Sequence, residues 1–278
     1  MANYTAADIK ALRERTGAGM MDVKKALDEA NGDAEKAIEI IRIKGLKGAT
    51  KREGRSTAEG LVAAKVSNGV GVMIEVNCET DFVAKADKFI QLADKVLAVA
   101  VESGAADLET LLATDVDGKP LSEVVTEEGA VLGEKVVVRR ISRIEGATVD
   151  AYLHKTSKDL PAQVGVLFAV DGEGEAAATA AHDVAVHIAA MAPNYLSRED
   201  VPADLVESER RIAEETAKAE GKPEAAMTKI VEGRVTGFYK GEVLVDQAFA
   251  KDAKKSVAQV LEEAGVKGTA FTRFRVGS

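Results

Sequence analysis

Apolar positions along this chain follow two periods, and the switches between them mark its organisation. As far as about Arg52 they recur at helical spacing. Thr5 is placed to cap a first helix with Ile9 and Leu12 on its inner face. Gly17 and Gly19 then interrupt, and Met20 starts a second helix that turns Val23, Ala26 and Leu27 inward. Asn31-Gly32 is a stop, and Asp33 caps a third helix burying Ala37, Ile38 and Ile41, which is expected to run out near Gly45. The pattern predicts a small three-helix unit over residues 1–52.

From Gly60 the order becomes strand, strand, helix. Leu61 to Val66 and Val70 to Val76 flank Ser67-Asn68-Gly69, where Asn-Gly accepts the positive φ angles of a tight hairpin turn. Val70 to Val76 is almost unbroken apolar and rich in β-branched residues, as a strand buried on both faces requires. Helical spacing returns over Lys85 to Val101. Leu108 to Leu112 and Leu121 to Leu132 read as helices around an Asp117-Gly118-Lys119-Pro120 turn, followed by a strand from Lys135 to Ile144.

The same order then begins again, with strands Val149 to Leu153 and Val164 to Val170 and an Ala-rich helix from Ala176 to Met191. Val72-Met73-Ile74-Glu75-Val76 corresponds to Val166-Leu167-Phe168-Ala169-Val170. The expected fold class is therefore α+β, with a core of two related β-β-α subdomains: residues 53–145, and residues 146–192 with 234–278. Leu205 to Gly221 and Pro223 to Val231 predict an antiparallel helical hairpin protruding as an insertion over 193–233. The run Phe238 to Val245, a helix Ser256 to Glu263 and a strand Phe271 to Val276 close the second half.

Between the first buried strand and its helix lies Asn77-Cys78-Glu79-Thr80-Asp81-Phe82-Val83-Ala84-Lys85. Thr80 is a natural N-cap and Asp81 suits the positive end of a helix dipole. Phe82 has two readings: it folds under the helix into the core, or it stands at the tip of the turn as an anchor for a partner. The second half carries Asp171-Gly172-Glu173-Gly174-Glu175 at this place. An aromatic needed for packing in both halves would appear in both, so the asymmetry points to a specialised first loop.

Composition narrows the classes. The 278 residues are 46% hydrophobic and 30% charged, as in folded globular chains. No apolar run is long enough to span a bilayer, and Met1 to Lys10 lacks a signal-peptide pattern, so a cytoplasmic location is expected. The single cysteine, Cys78, at the end of a buried strand fits packing in a reducing compartment. A net charge of -9 argues against stable nucleic-acid binding. The basic, Gly-interrupted stretch Lys44, Lys47, Lys51, Arg52 and Arg55 reads first as a solvated, flexible linker, with RNA contact as the second reading. There is no Gly-x-x-x-x-Gly-Lys-Ser/Thr phosphate loop, no Gly-x-Ser-x-Gly elbow and no zinc-ligand set. His182 and His187, five apart, share no helical stripe. No cofactor and no bond-making catalysis are expected, and a binding function is the better class.

Two blocks resemble a known family. Thr80-Asp81-Phe82-Val83-Ala84-Lys85, preceded by Glu75-Val76-Asn77-Cys78, is similar to the signature loop of elongation factor Ts, the nucleotide-exchange factor of the translational GTPase elongation factor Tu. Leu12-Arg13-Glu14-Arg15-Thr16-Gly17-Ala18-Gly19-Met20-Met21-Asp22, followed by Lys24-Lys25-Ala26-Leu27, resembles that family's amino-terminal signature. The resemblance covers essentially the whole chain. It implies a ubiquitin-associated-like amino-terminal unit, two similar core subdomains and a coiled-coil insertion. It further implies a partner, elongation factor Tu with GDP or without nucleotide, from which GDP is released as Asp81-Phe82 wedges near the nucleotide and its Mg²⁺.

By the same resemblance, Thr80, Asp81, Phe82 and Val83 form the exchange loop, while Met20, Met21, Leu132, Gly133 and His154 add contacts. Adjacent helical residues point about 100° apart, so one of Met20 and Met21 is expected in the core and the other in contact. A helix C-cap explains Gly133 equally well, and His154 reads alternatively as a solvated strand end. The protruding hairpin suggests an association surface. Many bacterial members continue into a further helical module; its contacts are not carried over to a sequence reaching Ser278. Two rival classes stay open: an adaptor binding through residues 1–52 with a structural Phe82, and a small-molecule enzyme with an unfamiliar site.

Overall fold

The computed structural model describes residues 3–278. Helices α1 (Ala6–Thr16), α2 (Met20–Glu29) and α3 (Ala34–Arg52) make the amino-terminal unit. Thr5 and Asp8 close a capping box, and Gly17 ends α1 at φ 68°. Asn31 and Gly32 turn the chain through φ 52° and 87°, and Asp33 Oδ1 then accepts the amides of Glu35 and Lys36. Leu12, Val23, Ala26, Leu27 and Ala37 enclose a core of its own.

The first half follows: β1 (Glu59–Ser67), β2 (Val70–Cys78), α4 (Asp81–Ala84), α5 (Asp87–Ser103), α6 (Leu108–Ala113), β3 (Asp115–Val116), β4 (Lys119–Pro120), α7 (Leu121–Leu132) and β5 (Val137–Glu145). The second comprises β6 (Thr148–His154), β7 (Val164–Val170), α8 (Glu175–Met191), α9 (Ala203–Ala219), α10 (Met227–Glu242), β8 (Ala248–Phe249), β9 (Asp252–Ser256), α11 (Val257–Glu263) and β10 (Gly268–Arg275). The fold is α+β. Its larger sheets have the antiparallel orders β1-β2-β5 and β6-β7-β10, the same topology twice.

Alternation along the central strands explains the layering. Val72, Ile74 and Val76 of β2 point into a core with Phe89, Leu92 and Val96 of α5, and Val166, Phe168 and Val170 of β7 point into a core with Ala181, Val184 and Ile188 of α8. Met73 and Leu167, of opposite parity, meet between the sheets with Val62 and Phe274. Gly71 and Gly165 occupy equivalent places in the two halves. A Cβ on Gly165 would run into Val62 and Met73, and one on Gly71 would approach Val149 and Leu167, so both glycines let the sheets close on each other.

Three expectations change. First, α3 passes Gly45 and includes most of the basic stretch, which is therefore helix to Arg52 rather than a flexible linker. Packing against α7 explains this: Arg42 pairs with Glu123 at 2.5 Å and with Glu127, and a Cβ on Gly45 would lie 3.0 Å from that of Ala130. A glycine costs a helix about 1 kcal/mol, which tertiary contact offsets. Second, the long helix expected from Lys85 begins at Asp87, because Thr80 to Ala84 forms a separate turn, α4. Third, α10 continues unbroken from Met227 to Glu242, past Val231 and through the start of the run Phe238 to Val245. Val231 and Val235 are buried against Ala213, with Tyr239 one turn further on, whereas Gly233, Gly237 and Gly241 face open space. The apolar stripe outweighs the weak helix propensity of three glycines.

Candidate partner-binding surface

The loop after β2 is built from its backbone upward. Thr80 Oγ1 accepts the Val83 amide at 3.4 Å, as an N-cap does, and Asp81 lies in the first turn. Ala84 is fully buried and Val83 packs partly against the first core. Phe82 turns the other way and is 73% exposed, which excludes the core reading of this residue. Lys85 Nζ stands 4.6 Å from the Phe82 ring centroid and 3.3 Å from Asp81 Oδ2, so the exposed ring, the carboxylate and the ammonium form one group.

The backbone at the base of this turn is held by carboxylates. Glu134 Oε2 accepts the amides of Glu79 and Thr80, each at 3.0 Å, and its Oε1 accepts the Thr80 hydroxyl at 2.5 Å. Glu79 answers across the gap, with Oε1 accepting the Lys135 amide at 2.7 Å. That amide, and then Arg55, whose Nη1 is 3.0 Å from Glu79 Oε2, hold the Glu79 carboxyl below its usual range. The Cys78 thiol donates to Thr80 O at 3.3 Å.

Of the other residues singled out in the sequence, Leu132 ends α7 and is partly buried against the first core. Gly133 is its C-cap at φ 80°. The C-cap is thus real, and it places Gly133 one residue from Glu134, hence beside the Phe82 turn. Met20 and Met21, at the start of α2, are 60% and 61% exposed; neither is core, contrary to the expected division, because Val23, Ala26 and Leu27 fill the inner face. The turn before them also borders this region, since a Cβ on Gly17 would run into Lys88 of α5 and Val131 of α7. His154 is exposed at the end of β6 in the other sheet, with Nδ1 3.1 Å from Tyr152 Oη. The structure therefore gathers the methionine turn, the Phe82 turn and the Leu132-Gly133 turn around the ends of α5 and α7, and holds His154 on a separate element.

Sequence reading quoted Glu79 and Lys85 within the loop without giving either a role, and did not single out Glu134. Lys85 could have been found, because it lies four residues from Asp81 on a helical turn. Glu134 carries no local signal: its partners are more than fifty residues away in the chain. Among the described residues no three His, Cys, Asp or Glu side chains converge to hold a metal ion, and no helix is long and apolar enough to cross a membrane.

Fold and surface together define a class: an α+β protein that offers a projecting apolar turn on a firmly held base. The chain belongs to the elongation factor Ts family, whose profile, described as Elongation factor TS, matches residues 79–278. It is similar to proteins named Elongation factor Ts from Pseudarthrobacter chlorophenolicus at 98% identity, Arthrobacter sp. at 96% and Kineococcus radiotolerans at 57%, each over 278 residues and the full length of both chains. Family membership gives it the role of a translation elongation factor.

Proposed function

We propose that this chain binds elongation factor Tu carrying GDP and promotes GDP release, allowing GTP to rebind; it is a guanine-nucleotide exchange factor of the cytoplasm and not an enzyme. The observation that carries the reading is Phe82, 73% exposed on a short turn whose base Glu134 holds. A large apolar side chain held in water on a rigid support suits an interface anchor. Asp81-Phe82 inserts beside the nucleotide and its Mg²⁺, a site whose strength depends on ligand geometry. Thr80 and Val83 set the wedge, and Met20, Met21, Leu132, Gly133 and His154 extend the contact. Exchange requires preference for the nucleotide-free partner, and linkage makes the effect mutual: by whatever factor this chain loosens GDP, GDP loosens this chain.

Within this reading the chain divides into a partner-facing unit 1–52, core subdomains 53–145 and 146–192 with 234–278, and a helical hairpin over 193–233 whose second arm continues to Glu242. The hairpin is an association surface. Neither stable nucleic-acid binding nor a cofactor is part of the function.

The test is release of a fluorescent GDP analogue from purified elongation factor Tu on adding a substoichiometric amount of this protein, as wild type and as Phe82→Ala. Acceleration by the wild type that is largely lost in a folded Phe82→Ala supports the wedge. Equal acceleration by both keeps the exchange function and removes Phe82 from its centre. No acceleration by folded wild type defeats the proposal and returns the adaptor reading, in which residues 1–52 bind alone.

A further inference from the structure

The α4 turn and the turn after α7 are joined by a reciprocal clasp. Glu134, just past the left-handed Gly133, places one carboxylate oxygen on the amides of Glu79 and Thr80 and the other on the Thr80 hydroxyl. Glu79, at the root of the Phe82 turn, places its carboxylate on the amide of Lys135, the residue after Glu134. Each acid therefore holds the backbone beside the other. Charge-assisted bonds to backbone donors are short and directional, so together they fix position better than side-chain packing of an isolated one-turn helix could. The helix itself is too short to be stable alone.

The Thr80 hydroxyl links this clasp to the tip. It donates its hydrogen to Glu134 and accepts the Val83 amide with a lone pair, so it bridges the clasp to α4. The Thr80 cap sets the start of α4 and the packing of Ala84 and Val83 seats its far end, while Glu134 ties down its root at the amides of Glu79 and Thr80. Glu134 thereby bonds the turn bearing Phe82 directly to the turn bearing Leu132 and Gly133.

Resting on the exchange function proposed above, we infer that Glu134 is a positioning residue, which with Glu79 locks the Phe82 turn to the Leu132-Gly133 turn so that both meet the partner already ordered. Ordering a loop during association lowers affinity, and a preformed loop avoids that loss.

The experiment is a mutant cycle in the GDP-release assay with the full chain: Glu134→Ala, Phe82→Ala and the double variant, alongside Glu134→Gln. Glu134→Ala is expected to raise the concentration giving half-maximal release by roughly tenfold, the scale of ordering about one flexible side chain on binding. It is expected to cost less in the Phe82→Ala background than in wild type, because part of its effect acts through that residue. Hydrogen exchange at the amides of Glu79 and Thr80 should speed up while the amides of α5 keep their protection, a local change that a general loss of stability does not produce.

Wild-type behaviour of Glu134→Ala, or full additivity with Phe82→Ala, overturns the positioning role and leaves the exchange function standing. Failure of the wild type to release GDP overturns both. If Glu134→Ala loses its cooperative melt, Glu134→Gln decides: it removes the charge and one of the two acceptors, so every bond that Glu134 makes in the clasp loses its charged partner; a partial loss coupled to Phe82 supports the clasp, and wild-type release with unchanged amide protection overturns it.

Discussion

Phe82 and Phe89 lie seven residues apart on either side of one helical break and have opposite surroundings: Phe89 has no exposed surface, whereas Phe82 is 73% exposed. Phe89, on α5, fills the core against β2, so Phe82 has no packing role left to take. Phe89→Ala should cost about 3–5 kcal/mol through lost burial and the cavity left behind. Phe82→Ala should stay within about 0.5 kcal/mol of wild type, as surface truncations do. Urea unfolding of the two variants checks this; a large loss in Phe82→Ala would restore a structural reading of that residue.

Glu75 is fully buried on the sheet-to-sheet face of β2, where Arg140 Nε reaches its Oε2 at 2.6 Å and Asn77 Nδ2 its Oε1 at 3.0 Å. The same guanidinium stacks 4.3 Å from the Phe274 ring centroid and donates to Arg275 O, which ties β10 to the first sheet. Arg140→Ala leaves a buried carboxylate without its cation and should cost about 3 kcal/mol, at the low end for buried pairs since Arg140 is itself partly exposed. Glu75→Gln in the Arg140→Ala background should recover part of that loss. Chemical denaturation of wild type and the two variants reads it directly, and no recovery would mean that packing of Arg140 on Phe274 outweighs the charge.

His187 should make stability fall in mild acid. The Ala250 amide donates to its Nδ1 at 3.0 Å, so that nitrogen carries no hydrogen, and Nε2 donates to Gln247 Oε1 at 2.8 Å. Burial, opposed by the Gln247 bond, lowers its pKa below the ordinary 6.5. The unfolded chain therefore binds the proton more readily than the folded one. This contribution is fully present above about pH 6.5 and is lost as pH falls through the unfolded value toward the lowered folded one. Unfolding midpoints at pH 7.5 and 5.5 should differ more for wild type than for His187→Gln; equal differences would exclude the histidine as the source.

Cys78 should be inert to thiol reagents until the protein opens. Burial first, and then the neighbouring Glu134 charge, push its thiol up to about 12. At pH 8 the native thiolate is scarce and enclosed, so labelling by a maleimide should proceed only as fast as unfolding allows and should rise steeply with denaturant. Rapid labelling of native protein at that pH would contradict the geometry. The raised value also means that this group stabilises the fold below about pH 9 and that its contribution fades between about 9 and 12.

What the sequence determined by itself were features governed by neighbours in the chain. The Thr5, Asp33 and Thr80 caps, the Asn68-Gly69 hairpin and the unbroken apolar strands β2 and β7 depend on residues within a turn or a strand length, and their period was legible. So was the repeat that ends as two sheets of equal topology. Only the tertiary structure decided where helices end when a distant surface supports them: α3 crosses Gly45 because α7 receives it, and α10 crosses three glycines because α9 does. It likewise decided which way a residue faces at a helix start, exposing both Met20 and Met21 and turning Phe82 outward. The Glu79–Glu134 clasp belongs wholly to that second kind, since hydrogen bonds between segments more than fifty residues apart leave no periodicity for a sequence to display.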